Sequence, residues 1–332
     1  MNLKKALATL IMFAAPWVTS GIAQVFWSNQ SPTGITDDIW CVTYANGTFA
    51  AVTNQGNLLT SHDGLTWSSQ HIDQGVWLVS IAYGNGTWVV VGDKGTILVS
   101  SDLRTWIHAT SNTTVRLNGV LNNGIVFIAV GESGTILTSA DGQKWASQPS
   151  GVTGYLHGIT YEVTGSLLPY TILVSGQNGL LLEGLGNGTS FTQVSSGTSQ
   201  NLEAVNFQEY PNPLITVAVG GNGAIIDSTF TQFSGGLTWS GSWAIAAAPK
   251  TTVTFRGLTF GNGYFVAAGD LGTIMTSSDG VNWTQRFSGD SPSSLSTAAL
   301  LSAAYSQDMQ RFVVTGTGGT ILASNSPPTT AI

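Results

Sequence analysis

Four stretches of the chain read Ser-x-Asp, then three residues, then Trp: Ser61–Asp63–Trp67, Ser100–Asp102–Trp106, Ser139–Asp141–Trp145 and Ser277–Asp279–Trp283. A motif recurring on fixed spacing marks one supersecondary unit used many times. Such a unit cannot bury its apolar face alone, so the copies must pack on one another. A second marker recurs more widely. It is Gly-x-x-Gly followed by a short apolar strand, starting at Gly92, Gly131, Gly176, Gly220, Gly269 and Gly316, with Thr53 replacing the first glycine of the earliest copy. The second glycines are Gly56, Gly95, Gly134, Gly179, Gly223, Gly272 and Gly319, spaced 39 to 49 residues apart. That period fits a propeller blade of four antiparallel strands.

Each unit reads the same way. A short apolar run such as Leu78–Tyr83 is the first strand. Asn-Gly follows at Asn46–Gly47, Asn85–Gly86, Asn123–Gly124 and Asn262–Gly263. This pair favours a two-residue type I′ hairpin, because both central residues need positive φ. The Gly-x-x-Gly turn joins the second and third strands, and the Ser-x-Asp element turns the chain into a fourth strand that starts at the Trp. The last copy runs through a third strand at Thr320–Ser324 and stops before Pro327–Pro328. Its missing piece sits at the other end, where Val25–Phe26–Trp27–Ser28 carries a Trp strand with no strands before it. Closure through both termini removes exposed sheet edges. The expected fold is all-β: a seven-bladed β-propeller of four-stranded antiparallel blades, closed by an N-terminal outer strand at residues 25–30. Two blades are degenerate. Asn187 and Phe191 stand at the Asp and Trp positions of the fourth, Gly235 and Trp239 at those of the fifth.

Only 8% of the residues are charged and the formal net charge is −7. No basic cluster follows Lys5, which argues against nucleic acid, since phosphate binding needs grouped Lys and Arg. Residues 1–23 read as a signal peptide: Lys4 and Lys5, an apolar run from Ala6 to Val18, then Gly21 and Ala23 at the −3 and −1 positions of a cleavage site. A single propeller domain is expected over 24–326 and a short tail over 327–332. The expected product is secreted or periplasmic, with no membrane span after cleavage. Cys41 is the only cysteine, so no internal disulfide is available and packing alone must hold the fold.

Aligning the seven first strands on Tyr44, Tyr83, Asn122, Tyr161, Phe207, Phe260 and Tyr305 places Cys41, Ser80, Gly119, Gly158, Ala204, Gly257 and Ser302 in one column. All are small, as crowding around a propeller axis requires. The residues just before them are Trp40, Val79, Asn118, His157, Glu203, Arg256 and Leu301. This column varies, and four consecutive blades put polar groups in it. It belongs to the face that carries the Gly-x-x-Gly turns, whose second residues include Asp93, Glu132 and Asp270. Candidate ligand-binding residues are therefore Asn118, His157, Glu203, Arg256, Asp93, Glu132 and Asp270. Solvated turns and channel lining are the alternative reading. Glu132 and Glu203 also allow a carboxylate pair of the kind that hydrolyses glycosides. No second His aligns with His157, so no zinc site is expected.

The Ser-x-Asp-Gly-x-x-Trp pattern resembles the Asp-box, or bacterial neuraminidase repeat, clear in four of the seven units. The resemblance implies a structural role for Asp63, Trp67, Asp102, Trp106, Asp141, Trp145, Asp279 and Trp283: the carboxylate braces its turn and the indole packs between sheets. Single carboxylates on separate blades cannot pool ligands for calcium. Asp-box propellers include sialidases, which need three arginines around a carboxylate and an activated Tyr. Beyond residue 23 this chain has only Arg104, Arg116, Arg256, Arg286 and Arg311, with Arg104 and Arg286 in or just after the boxes. The Arg-Ile-Pro element of sialidases is absent. In repeat style the single seven-unit array looks closest to the photosystem II assembly and stability factor-like propellers, although their basic patch has no counterpart here.

A full blade array without a catalytic constellation implies a non-catalytic, monomeric platform for a protein or cell-surface glycan, with no cofactor and no metal. A carbohydrate-active enzyme or lectin using His157, Glu203 and Arg256 is the alternative.

Overall fold

The computed structural model describes residues 27–32, 34–162, 171–208, 214–230, 242–286 and 298–324. The expected signal peptide and the tail lie outside them. The described residues form seven four-stranded antiparallel sheets, consecutive in sequence apart from the last. The first strands, innermost in each blade, are Ile39–Ala45, Leu78–Gly84, Leu117–Asn122, Leu156–Glu162, Leu202–Phe207, Phe255–Gly261 and Leu300–Ser306. The seventh blade takes its outer strand, Trp27–Asn29, from the N-terminal end, paired antiparallel with Ile321–Ser324. The ring is thus closed as the stray Trp27 strand requires. Among the described residues no helix is long and apolar enough to cross a membrane.

Alternation along each strand puts apolar residues on both faces, because every blade is covered by two neighbours. Ala50, Val52 and Leu58 of the first blade, for example, pack with Leu78, Ile81, Trp88, Val90 and Leu98 of the second. Each large aliphatic side chain buried in this way stabilises the fold by about 1.5–3 kcal/mol. The small column is forced by proximity at the axis. A Cβ on Gly257 would stand 2.8 Å from the Ser302 Cα of the next blade. Cys41 lies in the same column, its Sγ 3.9 Å from Ser80 Oγ, and burial raises its thiol pKa above the usual range.

The four Ser-x-Asp turns share one bonding pattern. In the first, Asp63 Oδ1 accepts from the Leu65 and Thr66 backbone N–H groups, both at 2.8 Å, and from Ser61 Oγ at 3.0 Å. The Thr66 bond is the largest cause holding the Asp63 carboxyl down to about 2. Trp145 and Trp283 are buried, and each indole donates to the carbonyl three residues earlier at 2.7 Å. In the fourth blade Asn187 Oδ1 replaces the carboxylate, accepting from Thr189 N and Oγ1 at 3.2 and 2.7 Å.

Two details differ from the repeat reading. Asn123 and Gly124 do not form a two-residue turn: Asn123 lacks positive φ, four residues separate the strands, and the Asn123 side chain accepts from the Ile125 and Val126 N–H groups, both at 3.1 Å. The Asn123 side-chain amide is also spent on the Gly186 carbonyl of the next blade. In the fifth blade the residue directly before the outer strand Ala244–Ile245 is Trp243, buried against Leu181, Leu202 and Ile226. Gly235 and Trp239 lie outside the described residues. The insertion shifted the repeat by four residues, and a nearby Trp at the wrong phase concealed it.

Candidate functional site

Every first strand carries a β-bulge near its start. Pairing with the second strand skips Trp40, Val79, Asn118, Glu203, Arg256 and Leu301, one in each of six blades, and skips His157 together with Gly158 in the fourth. These seven residues are the variable column. A bulge re-aims a side chain away from its ladder, which is why the column escapes the packing rule imposed on its neighbours. The residue before each bulge (Ile39, Leu78, Leu117, Leu156, Leu202, Phe255 or Leu300) is fully buried and anchors the strand.

A backbone ring sets the level of the turns. The N–H of the second residue of each Gly-x-x-Gly turn donates to the carbonyl two positions before the bulge: Asn54 to Asp38, Asp93 to Trp77, Glu132 to Arg116, Gln177 to Tyr155, Gly221 to Asn201, Asp270 to Thr254 and Thr317 to Ala299, at 2.8–3.1 Å. Turn and bulge side chains are thereby held side by side around the axis.

All seven bulge residues, with Arg116, Glu132 and Tyr155, line one cavity of about 360 Å³. Its polar side is interconnected. His157 Nδ1 lies 3.3 Å from Glu203 Oε2, and Asn118 Nδ2 donates to the Leu156 carbonyl at 2.8 Å. Burial is the largest cause lowering the His157 pKa below 6.5; Arg116 and Arg256 add to it and Glu203 opposes. The ring is therefore neutral at neutral pH. Nδ1 faces Glu203, and the other ring nitrogen is Nε2. That atom is buried and has no hydrogen-bond partner among the described residues.

The opposite side is aromatic and cationic. The Arg116 guanidinium lies 4.4 Å from the Trp77 ring centre and 5.2 Å from that of Trp40, and the two indoles meet edge to face at 5.2 Å. Asp93 pairs with Arg116 in charge, its Oδ1 3.3 Å from Nε, an atom with no hydrogen-bond partner among the described residues. Asp270 pairs with Arg256, with contacts of 3.2 and 3.5 Å, and also accepts from Thr254 N–H at 3.3 Å. Of the seven sequence candidates, Asn118, Glu132, His157, Glu203 and Arg256 line the cavity. Asp93 and Asp270 stand behind it as arginine partners. Sequence reasoning missed Trp77, Arg116 and Tyr155. They stand directly before the buried anchors Leu78, Leu117 and Leu156, outside the strands, where the repeat pattern was not followed. Among the described residues no group of three or more His, Cys, Asp and Glu could hold a metal ion.

One further carboxylate stands apart. Glu183, half-buried on the third strand of blade 4, has its pKa raised to about 7 by burial alone. The folded state then binds this proton more tightly than the unfolded chain. Its contribution to stability falls as pH rises from about 4.5 to about 7 and is level beyond. Glu183→Gln should therefore stabilise the protein at pH 8, by about 1–2 kcal/mol after discounting for solvent screening, and leave it nearly unchanged at pH 4.5. Urea titrations at the two pH values check this, and an equal effect at both would contradict it.

Fold and mouth together define a single seven-bladed propeller with a mixed polar and aromatic cavity at the turn face of its channel. No family model matches the chain, and no curated protein matches it in sequence. Among solved structures, YCF48 from Cyanidioschyzon merolae shares the fold with a TM-score of 0.66 at 17% identity, over 90% of this chain and 98% of that one. YCF48 bound to D1 peptide does so with a TM-score of 0.68 at 16% identity, over 93% and 97%. Both are propellers of the photosystem II assembly-factor group that the repeat style resembles. At these identities the likeness is one of fold.

Proposed function

We propose that the chain is an exported, non-catalytic propeller that binds a polypeptide at the turn-face mouth of its channel. The observation that carries this reading is the cavity itself: all seven blades contribute a bulged, re-aimed side chain to one concavity of about 360 Å³, while neighbouring positions obey packing. A ligand site is the default assignment for a concavity with convergent polar groups. A fold neighbour solved with a bound peptide adds support, and the residues 1–23 pattern supports export. Hydrolysis gains less support, because Glu203 is engaged by His157 and a glycosidase needs two carboxyl groups committed to the sugar.

Photo-crosslinking in the producing cell tests the reading. A photoreactive residue at Tyr155, exposed at the mouth, should yield polypeptide adducts, and one at Ile125, equally exposed on the opposite face, should not. Equal labelling from both, or adducts that only glycosidases remove, would overturn it. Release of chromogenic sugars, abolished by Glu203→Gln, would favour the hydrolase instead.

A further inference from the structure

We propose that the cavity is a receptor for an organic cation, a Lys or Arg side chain projecting from the bound polypeptide, held by the Glu132 and Glu203 carboxylates. This rests on the polypeptide reading above and gives it a chemistry.

The charge balance comes first. Two guanidiniums, Arg116 and Arg256, belong to the cavity, and each already has its own carboxylate, Asp93 and Asp270. Once these pairs are set aside, Glu132 and Glu203 remain, and His157, which faces Glu203, is neutral. Lys94 is the single cation in the seven Gly-x-x-Gly turns. The mouth therefore holds two carboxylates with no permanent cation of their own, inside a concavity whose walls concentrate the field. An anionic guest would face both glutamates.

The carboxylates ask for donors, because they only accept. Ammonium and guanidinium groups are all donor. The Asn118 side-chain amide gives one of its two N–H groups to the Leu156 carbonyl. A sugar fits less well. Arg116 already occupies one face of both Trp40 and Trp77, so one of the stacking surfaces on which a pyranose would lie is taken.

The test pans a random dodecapeptide display library on the immobilised full chain and, in parallel, on the Glu132→Gln/Glu203→Gln double variant. These changes keep side-chain shape, and equal melting temperatures would establish that the variant is folded. The expected result is enrichment of Lys- or Arg-bearing peptides on the wild type that is lost on the variant. One enriched peptide is then synthesised with its basic residue changed to Gln. Either that change or Glu203→Gln in the protein should weaken binding about tenfold or more, the scale of a hydrogen bond to a charged group, and the two together should weaken it by little more than either alone. Peptides whose capture depends on Trp40 but which are acidic or neutral would overturn the cation assignment and leave the polypeptide reading standing. Absence of any enrichment that depends on the mouth, or a glycan-array signal lost on the same double variant, would overturn both.

Discussion

Trp27→Ala should lower the free energy of unfolding by about 3–5 kcal/mol, the usual cost of removing a fully buried Trp. Against a typical total of about 5–15 kcal/mol, a single residue near the N-terminal end then decides whether the ring holds. Trp27 is 1% exposed and packs in one cluster with Val266, Ala268 and Ile274 of the sixth blade and Leu300, Phe312 and Leu322 of the seventh. It is therefore both the outer strand of the last blade and filler between two blades. Its strand adds the pairings Ser28 with Ala323 and Asn29 with Leu322, and Gln30 N–H bonds to the Ile321 carbonyl at 2.8 Å. A chain begun at Ser31 should lose more than the point variant. It would also expose Ile321–Ser324 as an unpaired edge, which invites pairing with a second copy. Urea denaturation measures the first effect and size-exclusion chromatography the second. A loss below about 1 kcal/mol, or a truncated chain that stays monomeric and as stable as the parent, would mean that the ring is held elsewhere.

The same residue shows why so much of the fold was legible. A repeat supplies several independent readings of one unit, so a lone Trp strand without partners and a last blade without an outer strand identify each other. Where the repeat was edited, legibility failed locally. Trp239 occupied the expected slot after an insertion, but Trp243 is the indole that precedes the outer strand. Asn123–Gly124 kept the turn dipeptide, yet its side chain braces a four-residue loop. Composition can persist while spacing changes, and the backbone follows spacing.

The mouth was half legible for a related reason. A column that ignores packing, as Asn118, His157, Glu203 and Arg256 do, reveals itself by contrast with a column that obeys it. Partnerships across blades do not. Nothing in the spacing of Arg116, Trp40, Trp77 and Asp93 indicates that three blades bring them into one stack. Nor does a lone His157 reveal which of its nitrogens is left without a partner. Those facts arise only when the ring closes and sets neighbouring bulges at one height.

Gly95→Ala should cost about 3 kcal/mol or more, whereas Gly86→Ala should cost about 1–2 kcal/mol. Both glycines have positive φ, +69° and +77°, so both substitutions carry the left-handed penalty. They differ in what a Cβ would meet. At Gly86 nothing lies within 4 Å, but at Gly95 the Thr113 carbonyl oxygen would be 2.0 Å away and its carbon 2.8 Å. The obstacle is backbone, on the segment that links blade 2 to blade 3, and it cannot rotate aside. Relief requires the turn to move, and the turn is what places the mouth: Asp93 N–H bonds to the Trp77 carbonyl at 2.9 Å and the Asp93 carboxylate pairs with Arg116. Gly95→Ala should therefore lower stability and also loosen the Trp77–Arg116 stack. A change in indole fluorescence of the folded protein, absent in Gly86→Ala, is the second readout. Equal costs at the two positions would show that the second glycine is kept for its φ alone. Unequal costs with unchanged fluorescence would show that the turn can shift without carrying the mouth with it.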